Sequence, residues 1–206
     1  KEQDFNKIEG SIISSVVPEL TLCIFETLKK LFKKEPLLVS QKLKTKIPLK
    51  IDNPNELGSD LLCDSVGAVN KFGYPILIID LGTASKILVI DNKGNYCGGV
   101  LMPGIGISYI SLTSAASMLG KTDVSLPKTV SCRNTKDCIN SGILYGHVEA
   151  IKGLVKRIED EFGYSFKKVL TGGYAKLVNS QLDDIPYDVN LTLDGLYKIY
   201  LINEGK

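Results

Sequence analysis

The chain has 206 residues, of which 44% are hydrophobic and 23% are charged, and its net charge is +2 at pH 7. This length is enough for one large domain or two small lobes with a buried core. The near-zero net charge gives no indication of a nucleic-acid or membrane partner. No signal peptide or long apolar span is present, so we expect a cytoplasmic protein.

The first part of the chain alternates strand and helix patterns. Residues 8–14 are strand-like, and the S-S-V-V-P turn at residues 14–18 places a proline at the start of a helix. Residues 19–33 carry an apolar stripe at helical spacing, which predicts an amphipathic helix. A further helix is predicted over residues 59–72, directly after Gly58.

The most informative stretch is D-L-G-T-A, which begins at Asp80 and lies between two predicted strands. The flanking apolar runs at residues 75–79 and 85–91 predict these strands. Gly82 permits close approach of the backbone to a phosphate, and Thr83 offers an N–H and a hydroxyl. Asp80 places a carboxylate where a cation could bridge to that phosphate. An ordinary Asp-Gly hairpin is an equally good interpretation of the motif alone.

Strand and helix patterns continue to the end of the chain. Strands are predicted over residues 96–102 and 167–171, and helices over residues 104–119, 135–161, 174–180 and 191–202. The strand-turn-helix at the start of the chain resembles the one at residues 168–180. The chain therefore looks like the end of one repeat followed by a complete second repeat.

The residue inventory gives little support for zinc or nucleophilic chemistry. The five cysteines include no C-x-x-C pair, and His147 is the one histidine. Because His147 falls within an amphipathic helix pattern, a structural role is favoured. We expect the thiols to be reduced and inert.

The D-x-G-T hairpin resembles the phosphate loop of the superfamily that contains acetate and sugar kinases, Hsp70 and actin. The resemblance implies an α/β, actin-like (ribonuclease H-like) fold with two duplicated lobes. Residues 1–73 would be the remainder of a first lobe that is truncated at its N-terminus. Residues 74–206 would be the second lobe, with the C-terminal helix packing back on the first. The first lobe's own D-x-G hairpin would then lie upstream of Lys1.

Further motifs, in the same order along the chain, resemble those of the type III pantothenate kinase family. They are S-S-V-V-P at residues 14–18, N-P-N-E-L-G-S-D at 53–60, G-G-V-L-M-P-G at 98–104, N-T at 134–135 with S-G-I-L-Y-G at 141–146, and T-G-G-Y-A at 171–175 with L-T-L-D-G-L at 191–196. This resemblance implies ATP-dependent phosphorylation of pantothenate to 4'-phosphopantothenate, the first step of coenzyme A biosynthesis. Another kinase of the superfamily, such as a sugar kinase, is a weaker alternative.

The same resemblance implies roles for individual residues. Asp60 would be the catalytic base, whereas the sequence alone favours a helix N-terminal acid. Pantothenate is expected to bind at Gly58, Ser59, Asp60, Leu61 and Thr135. ATP is expected to bind at Gly82, Thr83, Gly172 and Gly173. A monovalent cation is expected at Asp80. ATP, Mg²⁺ and potassium or ammonium are the expected cofactors, and a homodimer is the expected assembly. Thr135 is equally suited to cap a helix.

Two positions depart from the family pattern. Leu61 stands where the family has an arginine, and a leucine cannot make charge-assisted bonds to a carboxylate or phosphate. Ser85-Lys86 replaces a more usual Thr-Thr pair, and strand alternation leaves open whether Lys86 faces the site or points away. These departures keep open a catalytically degenerate homologue that acts as a regulatory or accessory protein. Without the upstream hairpin, we expect the 206-residue chain to be inactive on its own.

Overall fold

The computed structural model describes residues 7–115, 123–182 and 184–205. In chain order the elements are β1 (Ile12–Ile13), α1 (Pro18–Phe32), β2 (Leu37–Leu38), α2 (Ser59–Phe72), β3 (Ile76–Leu81), β4 (Ala84–Ile90), β5 (Tyr96–Pro103), α3 (Ile105–Ala115), α4 (Thr135–Phe162), β6 (Lys167–Thr171), α5 (Ala175–Val178) and α6 (Leu191–Glu204). Short 3-10 helices cover Pro54–Glu56 and Asn179–Gln181. The architecture is mixed α/β.

A four-stranded sheet with the order β5-β4-β3-β6 forms the centre of the described structure. β3 pairs antiparallel with β4 and parallel with β6, and β4 pairs antiparallel with β5. All six residues of β3 are buried, which is why its sequence is a continuous apolar run rather than an alternating one. Alternate residues of β3 contribute to two hydrophobic clusters, one on each face of the sheet.

Helices cover both faces of this sheet. On one face, Leu144 and Ile151 of α4 pack in the same cluster as Leu77 of β3. On the other face, Leu62 of α2 and Ile199 of α6 join the cluster formed around Ile76 and Ile78. The candidate site lies on the second face, because the first turn of α2, which carries Asp60, is on that side of the sheet.

α2 and α6 cross in direct backbone contact, at a glycine on each helix. A Cβ atom on Gly195 of α6 would overlap the carbonyl group of Cys63 in α2. A Cβ atom on Gly67 of α2 would likewise overlap the carbonyl oxygen of Leu191. The two helices can approach this closely only because neither glycine carries a side chain, and this contact fixes how α2 lies on the sheet.

The N-terminal elements differ most from the sequence prediction. The strand predicted over residues 8–14 is reduced to the two residues of β1, which pair in parallel with β2. β2 was not predicted, because a two-residue strand has no measurable periodicity. α1 forms as predicted, but none of its residues is buried, and Leu20, Leu22 and Ile24 are exposed.

The later elements lie close to their predicted bounds. The helix predicted over residues 104–119 is α3, and residues 116–119 of that prediction lie outside the described residues. The helix predicted over residues 174–180 is α5 followed by the 3-10 helix Asn179–Gln181. Within the described ranges, no helix has the length and apolar character that a membrane span requires. The division into lobes at residue 73 stays a prediction.

The crossing of α2 and α6 gives a stability prediction. We expect Gly195→Ala to destabilise the protein by about 1–3 kcal/mol, because the new methyl group would press on the Cys63 carbonyl and the backbone must shift. The matched control is Gly153→Ala in α4, where no atom lies within 4 Å of the added Cβ. That change should raise stability by up to about 1 kcal/mol through helix propensity alone. Urea unfolding of both variants measures the difference, and equal effects of the two changes would contradict the close crossing.

Candidate active site

Asp80 lies at the carboxyl end of the central strand β3, between two paired neighbours. It pairs with Lys86 of β4 on one side and with Thr171 of β6 on the other. Directly paired residues project on the same face of a sheet, so all three side chains face the layer formed by α2 and α6. Asp80 is buried, although it is charged, which requires a partner for its carboxylate.

Lys86 is that partner. Its Nζ lies 2.7 Å from Oδ2 of Asp80 and 2.9 Å from Oδ2 of Asp60. The Lys86 side chain is 11% exposed, so its ammonium group is largely removed from water. Burial works against a charge here, but the hydrogen bonds to Asp80 and Asp60 outweigh it and hold the pKa of Lys86 above its ordinary value. The question that alternation left open is thus answered: Lys86 faces the site.

Asp60 comes from the first turn of α2, where the helix dipole favours a carboxylate. Gly58 is the N-cap residue, and a Cβ on it would lie 2.5 Å from Oδ1 of Asp60, so glycine leaves the space that the carboxylate occupies. Ser59 anchors this turn to the N-terminal segment. Its hydroxyl accepts a hydrogen bond from Oγ of Ser14 at 2.9 Å and donates one to the carbonyl oxygen of Ser15 at 3.2 Å.

The Gly82-Thr83 loop connects β3 to β4 directly beside this ion bridge. Thr83 is exposed, and the Gly82 N–H donates to the carbonyl oxygen of Ala84 at 3.2 Å. Gly104, at the start of α3, packs against the other side of the loop, since a Cβ there would lie 2.6 Å from the Gly82 carbonyl oxygen. The Pro103-Gly104 segment therefore packs directly against the backbone of this loop.

Gly172 and Gly173 follow β6 and lie at the same end of the sheet. Gly172 has φ +96°, and a Cβ on it would lie 2.5 Å from Oδ1 of Asp80, so no other residue fits without displacing that carboxylate. Gly173 is exposed, and no atom lies within 4 Å of its Cβ position. The backbone N–H of Tyr174 donates to the carbonyl oxygen of Leu81 at 2.9 Å, which fastens this turn to β3.

Two predicted site residues are placed differently. Leu61 follows Asp60 and is half-buried against the cluster of α2 and α6, with no polar group to offer. Thr135 is the exposed first residue of α4, and Asn134 provides the N-cap by accepting from the Asp137 N–H at 2.9 Å. Within the described ranges, no hydrogen bond or ion pair joins Thr135 to the Asp60–Lys86–Asp80 bridge. The capping role left open for Thr135 belongs to Asn134.

Asp64 is a buried acid that was not among the predicted residues, and its charge interacts with those of Asp80, Lys86 and Asp60. It lies one helical turn after Asp60, on the same face of α2, and is 1% exposed. Burial raises the pKa of Asp64 from an ordinary 3.8 to about 7, against the opposing effect of the Thr192 hydroxyl, which donates to Oδ1 at 2.5 Å. The charges of Asp80, Lys86 and Asp60 act on it as well. The i, i+4 spacing of two acids on one helix was the available signal.

Carboxylates at a strand end beside a glycine-rich loop, with backbone open to close approach, suit a phosphotransferase site. A sequence model of a family described as type III pantothenate kinase matches residues 1–157. A type III pantothenate kinase from Halalkalibacterium halodurans is 40% identical over 200 residues, covering 97% of this chain and 79% of that relative. The chain belongs to the type III pantothenate kinase family.

A solved structure shares the fold. It is a Campylobacter jejuni protein described as a conserved Baf family transcriptional activator, and it aligns with a TM-score of 0.66. The alignment covers 98% of this chain and 87% of the other, at 21% sequence identity. This likeness concerns the fold alone.

The raised pKa of Asp64 gives a pH prediction. Since the folded protein holds this proton more tightly than the unfolded chain, Asp64 favours folding below about pH 4, and the contribution is lost as the pH rises to about 7. Asp64→Asn removes the titration and keeps an acceptor for Thr192. We expect the variant to gain up to roughly 4 kcal/mol over wild type between pH 4 and pH 8.

Urea unfolding at several pH values measures this gain. The control is Asp160→Asn, which removes an exposed carboxylate paired with Lys156 on the surface of α4. Parallel curves of unfolding free energy against pH for wild type and Asp64→Asn would contradict the raised pKa.

Proposed function

We propose that this protein catalyses the ATP-dependent phosphorylation of pantothenate to 4'-phosphopantothenate, the first step of coenzyme A biosynthesis. Membership of the type III pantothenate kinase family supports this function. The observation that carries it is the convergence of Asp60 and Asp80, from separate elements, on one ammonium group beside the Gly82-Thr83 loop. The site thus combines a candidate base with a candidate phosphate loop.

We infer that the fold is actin-like (ribonuclease H-like), with two lobes related by duplication. The order β5-β4-β3-β6, in which three antiparallel strands are followed by a parallel one, supports this inference. So does the strand-turn-helix of β1 and α1, which has a counterpart in β6 and α5. The proposed boundary near residue 73 falls between α2 and β3, and α6 packs across it onto α2.

In the proposed reaction Asp60 accepts the proton of the pantothenate hydroxyl. Its carboxylate is 39% exposed, more than that of Asp80, so a substrate can reach it. Phosphoryl transfer needs little covalent chemistry from the protein, and its rate depends on positioning and on stabilisation of charge. The ion bridge to Lys86 positions Asp60 relative to the loop. A base of this kind contributes about 10²–10⁴-fold to the rate.

The residues around the Gly82-Thr83 loop are suited to bind a nucleoside triphosphate. Thr83 and Gly173 are both exposed, and no atom occupies the space beside the Gly173 Cα. Backbone N–H groups in such open glycine-rich turns bind phosphate oxygens. We propose that Gly82, Thr83, Gly172 and Gly173 hold the phosphates of ATP. Mg²⁺ would enter with the nucleotide and neutralise phosphate charge.

We also propose a cytoplasmic homodimer. The five cysteines are all free thiols, as is usual in reducing compartments. Leu101 of β5 and Ile110 of α3 are apolar and about two-thirds exposed, which is typical of a surface that a second copy covers. Thr135, exposed at the start of α4, would then be available to a pantothenate pocket that two copies complete.

Asp60→Asn tests the role of the base. We expect this change to lower kcat by at least about 100-fold while ATP affinity stays within roughly twofold, because the amide keeps the shape but cannot accept the proton. A coupled assay of ADP release, carried out on the full-length protein, measures turnover. Calorimetry measures ATP binding. Asp52→Asn is the matched control, since Asp52 is an exposed carboxylate outside α2. A variant rate above about a tenth of wild type would remove Asp60 from the mechanism.

Leu61→Arg tests whether the site has lost a substrate contact. If Leu61 lies against bound pantothenate, an arginine adds a charge-assisted hydrogen bond to its carboxylate, which is worth about 1.5–3 kcal/mol. We therefore expect kcat/KM for pantothenate to rise by roughly ten- to one-hundred-fold. Leu61→Met is the control, because it keeps an apolar side chain of similar volume.

A second candidate function is supported by Leu61 and Lys86 together. An apolar residue at the substrate position, and a base already engaged by a lysine 2.9 Å away, favour a non-catalytic regulatory or accessory protein. No turnover in wild type or in Leu61→Arg, with a lower melting temperature for the arginine variant, would favour this second function over the kinase.

A further inference from the structure

The ammonium group of Lys86 lies where a cation shared by two carboxylates would lie. It contacts Oδ2 of Asp80 at 2.7 Å and Oδ2 of Asp60 at 2.9 Å. The two acids belong to β3 and α2, so the contact spans a strand and the helix above it. Lys86 and Asp80 are 11% and 12% exposed, which keeps most of this bridge out of water.

The oxygen atoms of Asp80 are not free to bind an exchangeable monovalent cation in addition to Lys86. Oδ2 of Asp80 already accepts from Lys86, and Oδ1 faces the backbone of Gly82 and Gly172. A second cation bound to this carboxylate would lie within a few ångströms of the ammonium group. Two positive charges about 4 Å apart repel strongly when they are partly buried. Within the described ranges, no group of three or more His, Cys, Asp or Glu side chains forms an alternative metal site.

We propose that Lys86 is the built-in cation of this site, which takes the place of an exchangeable monovalent cation between Asp60 and Asp80. The protein therefore needs no potassium or ammonium ion for either stability or catalysis. This inference deepens the proposed function, since it concerns the same site. Ion binding is measured below without substrate, so its outcome is separate from whether the protein is a kinase.

The register of the hairpin explains why a lysine can do this. Asp80 and Lys86 are directly paired across β3 and β4, with their side chains on one face. The lysine side chain is long enough for its ammonium group to reach the first turn of α2, where Asp60 lies. A shorter side chain at position 86 would leave both carboxylates without this partner and would open a space for an ion.

Thermal unfolding in different salts tests the proposal. Wild type, Lys86→Thr and the control Lys93→Thr, at an exposed turn position, are unfolded in potassium, ammonium, sodium and choline chloride at one ionic strength, without nucleotide. We expect wild type and Lys93→Thr to show one Tm in all four salts. Lys86→Thr should have a lower Tm in choline that rises in potassium or ammonium, by roughly 3–6 °C for each tenfold increase in ion above its Kd.

Two outcomes overturn the proposal. One is a saturable rise of the wild-type Tm with potassium or ammonium that Lys93→Thr shares, a measurement that does not depend on the folding of Lys86→Thr. The other is a Lys86→Thr variant that folds but shows no difference between potassium and choline. Where turnover is measurable, wild-type kcat/KM should be equal in potassium and choline, and an activation of tenfold or more by potassium would likewise overturn it.

Discussion

The complete burial of strand β3 is the constraint on which the site depends. Both faces of this strand are covered, by α4 on one side and by α2 and α6 on the other. A strand in this position cannot carry polar groups along its length, so its one carboxylate, Asp80, lies near the end where the chain turns. The neighbouring strands then bring Lys86 and Thr171 beside it by register alone.

The contact between α2 and α6 determines where Asp60 lies relative to the sheet. Gly67 and Gly195 allow the two helix backbones to touch, and this contact sets the position of α2 on the sheet. Asp60, in the first turn of α2, then meets the ammonium group that Asp80 also binds. Asp60 is thereby held in place by packing contacts within the next two turns of its own helix.

Three acids and one lysine determine the charge of the candidate site. Asp60 and Asp80 share the ammonium group of Lys86, and the charges of all three act on Asp64, whose pKa burial raises to about 7. Lys86 and the Asp64 proton both reduce the net negative charge that these acids would otherwise carry. Leu61 adds no charge to this site, because its side chain is apolar and half-buried beside Asp60.

Much of the fold and part of the site could be predicted from the sequence. The continuous apolar run of β3 and the D-L-G-T-A turn located the hairpin, and the long periodic segments located α2, α4 and α6. The family motifs located Asp60 and the glycines. These are local signals, carried by residues close together in the chain. By contrast, the pairing of β1 with β2 involves two residues on each side and leaves no periodic trace.

Only the tertiary structure decided how these pieces combine. Side-chain alternation allowed two directions for Lys86, and the choice came from the register with Asp80 and the arrival of Asp60 from another element. The burial and raised pKa of Asp64 depend on α6 and Thr192, which lie far along the chain. Local propensity determined the elements and the residue types at the site. Distances, burial and charge balance arise between segments distant in sequence, so they were decided by packing.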